Sequence, residues 1–169
     1  MNPENAMQPN DGLASVWQRL SQVNSLTFES TSQANESGWS GQGRGEVVVE
    51  TIDSVTMLFH EKGTWNQAGG RELTFTNVYR WTALHEVGAL RLEHLRLGVE
   101  HPVYLFDLQQ TESGQWRSVE GHMCREDCYQ AAMTLGPHDL RLRWTIKGPG
   151  KDETIGYVYH QDKRSRCPG

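Results

Sequence analysis

The stretch from His122 to Asp152, HMCREDCYQAAMTLGPHDLRLRWTIKGPGKD, shows most clearly how this chain folds. Within it, Leu140 to Lys147 places apolar residues at the even positions and basic or hydroxyl-bearing residues at the odd ones. Successive side chains of a strand point to opposite faces, so this alternation predicts a β-strand. Gly136-Pro137 and Gly148-Pro149 indicate turns on either side, because Pro fixes φ and Gly accepts a positive φ. The stretch therefore predicts strands joined by tight turns.

The same period of two recurs along most of the chain, in short segments separated by turn residues. This spacing is typical of an antiparallel sandwich or barrel and not of alternating strand-helix units. Several segments are mixed on both faces, which favours a barrel because a barrel can hold a semi-polar interior. We therefore predict an all-β, up-and-down antiparallel barrel of about eight to ten strands. The candidate strands are Leu26–Glu29, Gly45–Thr51, Val55–His60, Leu73–Trp81, Leu90–Leu97, Val103–Leu108, Trp116–Met123, Tyr129–Leu135, Leu140–Lys147 and Thr154–Tyr159.

One candidate strand breaks the simple alternation. In Leu90 to Leu97, His94 and Arg96 are in phase with Leu90 and Leu92. Such a slip indicates a bulge or a polar group that points inward. Solvated charge on the outer face is the alternative.

A short segment near the N-terminus has helical periodicity. Leu13, Val16, Trp17 and Leu20 form one apolar stripe, and Asn10 or Asp11 can cap the helix. So short a helix is unstable alone and is expected to lie on a larger apolar surface or across a barrel end. The predicted organisation is a disordered segment at 1–11, a barrel domain at 12–160 and a flexible tail at 161–169.

Composition excludes several classes of partner. The chain of 169 residues is long enough for one domain with a core, and its net charge of −5 argues against nucleic acid or an anionic membrane surface. It has no apolar run of spanning length and no signal-peptide pattern at its start. Three cysteines, an odd number, fit a reducing compartment. We therefore expect a cytoplasmic protein, and the sequence leaves open whether it is a monomer or a dimer.

The cluster of His122, Cys124, Asp127, Cys128 and Tyr129 has three interpretations. Cys and His ligands suit zinc, with His138 as a further candidate, but the usual C-x2-C pair is missing. A cysteine activated by His122 and oriented by Asp127 would be a nucleophile, although no flanking motif supports it. Hydrogen bonding across a strand connection is the structural alternative. No metal or cofactor is expected.

Glycines and tryptophans also admit more than one role. Gly41-x-Gly43-x-Gly45 looks like a phosphate loop, but a Val-rich strand follows it where a phosphate loop needs a helix. Close backbone approach in a barrel strand is the better interpretation. The six tryptophans either fill the core and plug a barrel end or line an aromatic ligand cavity.

Several motifs together resemble an uncharacterised, mainly bacterial family with a calycin-like single barrel, related in shape to lipocalins and fatty-acid-binding proteins. They are the N-terminal Trp segment, Phe59-x-Glu61-x-Gly63, Tyr79-Arg80-Trp81, the group His122, Cys124, Asp127 and Tyr129, and the group Trp144, Gly148, Pro149, Lys151 and Asp152. The resemblance implies a calycin-like barrel and no particular function. Leu105-Phe106, where Phe-His is usual, and Gly150, where Arg is common, depart from the pattern.

The fold predicts intracellular binding of a small amphipathic or anionic molecule. The residues expected to line or gate the cavity are Arg80, His122, Tyr129, Arg143, Trp144 and Lys151. Arg80 and Arg143 could pair an anion bidentately, but each is followed by a Trp that faces the opposite way, so arginines or tryptophans line the cavity there and not both.

Two other functions stay open. One is a lyase or isomerase that uses His122 with Cys124 or Tyr129 as acid-base partners. The other is a structural or partner-binding barrel with a filled interior.

Overall fold

The computed structural model describes residues 9–32, 40–67, 70–119, 128–148 and 151–162, with 9–11, 128 and 151 described by backbone alone. Within these ranges one helix precedes ten strands. The elements are α1 (Pro9–Ser21), β1 (Ser25–Ser32), β2 (Gly41–Asp53), β3 (Thr56–Gln67), β4 (Glu72–Leu84), β5 (Ala89–His94), β6 (Val103–Gln110), β7 (Trp116–Ser118), β8 (Cys128–Leu135), β9 (Asp139–Gly148) and β10 (Lys151–His160).

The strands form one closed antiparallel barrel. Each strand pairs with its neighbours in the chain, and β1 pairs with β10 to close the sheet. Closure gives each of the ten described strands a partner on both sides, and every adjacent pair is antiparallel. The predicted all-β antiparallel barrel with a short N-terminal helix is confirmed.

Helix α1 closes one end of the barrel, called here the helix end. Its residues Leu13, Val16 and Leu20 are fully buried. The Arg19 guanidinium donates hydrogen bonds to the backbone carbonyls of Gly136 at 2.7 Å and Asp139 at 3.1 Å, which fixes the helix to the β8–β9 turn. The opposite end, where β1 ends and β2 begins, is called the far end.

Burial of the inward-facing side chains changes along the barrel axis. In the helix half they are almost completely buried, as for Met57, Phe59, Trp81, Leu90, Leu108, Trp116 and Met133. In the far half, inward-facing residues are only partly buried, as for Phe28, Trp65, Phe75, Tyr129, Ile146 and Ile155. The described inward-facing side chains are therefore fully buried toward the helix end and partly exposed toward the far end.

The glycine run of β2 faces the interior and lets the wall lie directly on aromatic rings. A Cβ on Gly43 would collide with the ring of Phe28, and one on Gly41 would meet the carbonyl of Asn66 and the Trp65 ring. The run is a strand that starts at Gly41, earlier than the Gly45 expected from sequence. The close backbone approach inferred from the sequence is confirmed.

Candidate functional site

The alternation on β4 and β9 determines which side chains enter the barrel. On β4, Tyr79 and Trp81 are buried, while Arg80 points outward and forms an ion pair with Glu93 at 2.9 Å. On β9, Trp144 is 5 % exposed and Arg143 is exposed to solvent. At both places the tryptophan therefore lines the interior and the arginine lies on the outer wall.

An aromatic cluster occupies the middle and the far half of the interior. The Phe28 ring packs edge-on against Phe75 with ring centroids 5.3 Å apart, and tilted against Tyr157 at 5.5 Å. Tyr157 in turn lies 5.1 Å from Trp144. These contacts join β1, β4, β9 and β10 across the barrel and give the site an aromatic lining.

Glu61 is the acidic group at the base of this cluster. It is 2 % exposed and follows Met57 and Phe59 on the inward face of β3. The Tyr159 hydroxyl donates a hydrogen bond of 2.7 Å to Glu61 Oε2. Burial raises the pKa of Glu61 to about 8, against the opposing effect of hydrogen bonds from Tyr159 and the Asn77 side chain. The carboxyl is therefore mostly protonated at neutral pH.

The second oxygen of the same carboxyl is not fully satisfied. Glu61 Oε1 is buried and accepts no well-formed hydrogen bond from the described residues, although the Asn77 amide is near enough to favour the charged form. Buried polar atoms almost always have a partner, so an exception is a candidate contact for a bound molecule or water.

Three tyrosines extend the polar network away from Glu61. Tyr159 stacks on Tyr157 with centroids 5.4 Å apart, and the Tyr157 hydroxyl lies 3.4 Å from that of Tyr79. Burial, followed by the nearby Glu61, raises the pKa of Tyr79 and of Tyr159. The hydroxyls therefore keep their protons and can both donate and accept hydrogen bonds.

His94 joins this network from β5. It pairs with Tyr79 across β4 and β5, and the two rings stack 4.6 Å apart. A register shift between β5 and β6 lies next to it, and the extra residue, Leu105, belongs to β6. Of the two alternatives expected from the sequence, β5 therefore shows the inward polar group, while the bulge lies on the neighbouring strand. Burial, with a smaller contribution from Arg96, lowers the pKa of His94, which favours the neutral ring. Arg96 lies beyond the end of β5 and is exposed.

The other residues predicted from sequence lie in the interior, at the far end, on the outer wall or outside the described ranges. Tyr129 is half-buried on β8 and pairs with Ile146, on the same inward side as Trp144. Lys151 begins β10 at the far end, and its side chain is not described. His122 and Cys124 fall outside the described residues. Arg80 and Arg143 lie on separate strands of the outer wall, so among the predicted residues whose side chains are described only Tyr129 and Trp144 share the interior.

Sequence reasoning missed the interior network of Glu61, Tyr79, Tyr157 and Tyr159. A signal was present, because Glu61 is in phase with Met57 and Phe59, and Tyr157 is in phase with Tyr159. The pattern could not predict that Glu61 on β3 contacts Tyr159 on β10, because the two strands lie far apart in sequence.

The inward-facing side chains that the structure describes include no Lys or Arg. No three His, Cys, Asp or Glu side chains within the described ranges are grouped as metal ligands. The only helix in the described part of the chain is too short and too polar to cross a membrane.

These features define a helix-capped antiparallel barrel with an aromatic interior and a buried acid. The chain belongs to a family of unknown function, DUF6314, whose model matches residues 23–161 and so spans all ten strands. The uncharacterised barrel family expected from the sequence motifs is thereby confirmed. No curated protein matches the sequence.

Three solved structures, two of them of designed β-barrels, are similar in outline. A redesigned β-barrel, mFAP1, bound to DFHBI has 12 % identity and a TM-score of 0.41, over 84 % of this chain and 97 % of the other. A fluorescence-activating β-barrel designed de novo has 13 % identity and a TM-score of 0.40, over 82 % and 93 %. EF1p2_mFAP2b bound to DFHBI has 12 % identity and a TM-score of 0.41, over 86 % and 96 %. At these values the likeness identifies no ligand.

Proposed function

We propose that this barrel binds a small, uncharged, largely aromatic molecule in the far half of its interior. The observation that carries the proposal is Glu61, a buried carboxyl with one oxygen left without a well-formed hydrogen bond from the described residues. Leaving such a group unsatisfied costs about 1–3 kcal/mol, so a site that retains it has a reason to do so. A ligand that completes the hydrogen bonding would recover this free energy.

The charge of the ligand follows from the charges of the interior. Described inward-facing side chains supply no cation, and Arg80 and Arg143 point outward. An anion buried beside Glu61 would find no compensating charge among the described inward-facing side chains, which is costly in a medium of low dielectric constant. We therefore favour an uncharged ligand over the anionic one that the two arginines suggested.

The polar network defines the functional group that the ligand needs. A protonated Glu61 and three protonated tyrosines present hydroxyl donors as well as acceptors. A carbonyl or an unprotonated ring nitrogen would accept from these hydroxyls. The rings of Phe28, Phe75 and Trp144 would then contact the flat apolar part of the molecule.

Two substitutions on β1 test whether the far half is the binding site. Ser30 faces inward beside Ile155, whereas Thr31, its neighbour, faces outward. Ser30→Trp should obstruct the interior and weaken binding of the neutral dye Nile red by about tenfold or more, as expected for overpacking of 1–3 kcal/mol. Thr31→Trp adds the same side chain outside and should leave the affinity unchanged. Equal affinities, measured by dye fluorescence, would place the dye elsewhere.

A second candidate function is acid-base catalysis, which the pKa of Glu61 supports. A carboxyl with a pKa of about 8 in a buried polar network is poised to exchange a proton near neutral pH. Glu61→Gln separates the two functions once a ligand is known. If the variant still binds the ligand but no longer converts it, the protein is an enzyme. If the wild type binds the ligand and releases it chemically unchanged, the protein is a carrier. The lyase or isomerase site at His122 and Cys124, and the cytoplasmic location, stay predictions from sequence.

A further inference from the structure

The outer wall carries a groove that the interior site does not use. It has a volume of about 810 Å³ and crosses the outward faces of β9, β10, β1 and β2 before reaching β3 and β4. We call it the outer groove and define it by Arg141, Arg143, Gly156, Thr27, Glu29 and Arg44. Its volume lies within the range of about 300–1,000 Å³ that is usual for small-molecule sites.

Glycines on both faces of the wall shape this groove. The inward-facing Gly43 allows β2 to lie directly on the Phe28 ring, where a Cβ would collide with it. On the outer face, Gly156 lies between Glu29 of β1 and Arg143 of β9, and a Cβ added to it would meet no heavy atom within 4 Å. The floor of the groove at Gly156 is therefore open space.

Three guanidinium groups border this space. Arg141 and Arg44 lie at opposite ends of one cross-strand row that runs through Val158 and Thr27. Their backbones are about 14 Å apart, since neighbouring strands are spaced at about 4.8 Å, so the two long side chains can reach toward a shared molecule. Arg143 lies in the next row, beside Gly156.

These arginines have free hydrogen-bonding capacity. Arg44 and Arg143 make no ion pair with any residue that the structure describes, and Arg141 makes only a long contact of 3.5 Å with Asp139. Guanidinium groups match carboxylate and phosphate oxygens in geometry, often through paired hydrogen bonds. The groove therefore presents three cations toward one space.

An acidic residue in the same groove restricts the kind of anion. Glu29 lies opposite Arg143 across Gly156, and its Oε1 accepts a hydrogen bond of 2.9 Å from the Gln42 amide. A second carboxylate, Glu72, lies on β4 toward the other end. A simple anion would be repelled by Glu29, whereas one that also carries hydroxyl groups can donate to it.

We propose that the outer groove is a second binding site, for a small hydroxylated organic anion. The anionic group would contact Arg141, Arg143 and Arg44, and a ligand hydroxyl would donate to Glu29. This site uses side chains on the outward face of the barrel wall, so its occupancy does not require the interior ligand.

The test is a titration of backbone amide shifts by NMR with two probes at constant ionic strength. Citrate presents a hydroxylated carboxylate, glycerol 3-phosphate a hydroxylated phosphate, and sodium chloride is the reference. Saturable shifts at Thr27, Gly43 and Gly156 with either probe support the site, and the stronger probe identifies the anionic group. Arg143→Ala and Arg44→Ala should each weaken binding by about tenfold, the usual effect of losing one charge-assisted hydrogen bond.

Two further variants separate the groove from general surface charge. Gly156→Val fills the floor without changing the charge and should weaken binding about as much as Arg143→Ala. Arg117→Ala removes an exposed cation from β7, outside the groove, and should change the affinity by less than about twofold, as surface charges usually contribute little. Absence of saturable shifts with both probes, or equal weakening by Arg117→Ala, would overturn the proposal.

Discussion

Glu61 gives the protein a pH dependence that follows from its raised pKa. In the folded protein its pKa is about 8, compared with an ordinary value of 4.5. The folded state therefore keeps a proton that the unfolded chain releases, so stability from this group is complete below pH 4.5 and is lost as pH rises toward 8. The loss reaches about 5 kcal/mol at most.

Glu61→Gln should remove this dependence. The amide resembles the protonated acid, so the variant should become more stable relative to the wild type as pH rises from 5 to 8. Urea unfolding at several pH values measures the difference, with Glu86→Gln as a control at an exposed position in the β4–β5 turn. A difference between wild type and Glu61→Gln that stays constant across this range would contradict the assignment.

Tyr159 should contribute to stability mainly through its hydroxyl. Tyr159→Phe keeps the ring but removes the donor to Glu61 Oε2, and we expect a loss of about 1–3 kcal/mol in the free energy of unfolding. The double variant with Glu61→Leu, which removes the acceptor, should lose less than the two single variants added together, because each substitution removes the same hydrogen bond. Strict additivity in urea unfolding would show that the hydrogen bond is not formed.

At the scale of single residues, the sequence predicted which side chains share a face of a strand. It indicated much less about which distant residues each side chain contacts. The alternation of Leu140 to Lys147 placed Trp144 and Arg143 on opposite faces, as the structure has them. The alternation alone did not decide which of these two faces points into the barrel, because that depends on how the whole strand is buried. The partner of Glu61, 98 residues away, depends on how the barrel closes and has no local signal.

Strand β2 should tolerate substitution of its inward glycines poorly. Gly43→Ala places a methyl group against the Phe28 ring and should cost about 1–3 kcal/mol through overpacking. Gly156→Ala, at an open outward position, should be neutral or stabilise by up to about 1 kcal/mol, because it reduces the freedom of the unfolded chain. Thermal unfolding of both variants tests the contrast, and equal losses would refute the close approach of β2 to Phe28.

Helix α1 should stabilise the barrel by the apolar side chains that it buries. Leu20→Ala should cost about 2–5 kcal/mol, because Leu20 is fully buried against the helix end. Gln18→Ala, on the exposed face of the same helix, is the matched control. If the two variants unfold at the same urea concentration, α1 does not seal the barrel.

At the scale of elements, the periodicity of apolar residues predicted the helix and the succession of short strands. It misplaced the ends of some of these elements. Leu13, Val16 and Leu20 form the buried stripe of α1 as expected, while Trp17, predicted with them, is only partly buried. The start of β2 at Gly41 was missed because glycine has a low strand propensity, and only the contact with Phe28 explains its place there. Such contacts between strands are absent from any local window of sequence.

At the scale of the whole molecule, closure of the sheet creates the site. Pairing of β1 with β10 brings Tyr157 beside Phe28, and the interior then joins rings from both ends of the chain. The regular series of short strands predicted a barrel. It did not determine which strands would face each other across the interior. The fold was therefore predictable to a greater extent than the site.

The most direct test of an uncharged ligand in the barrel interior is native mass spectrometry of protein purified from its own host. We predict a bound small molecule that is uncharged at neutral pH, lost from Ser30→Trp and retained by Thr31→Trp, because the two positions face opposite sides of β1. Only the unliganded mass in the wild type, or a bound mass that Ser30→Trp retains, would contradict the proposed interior site.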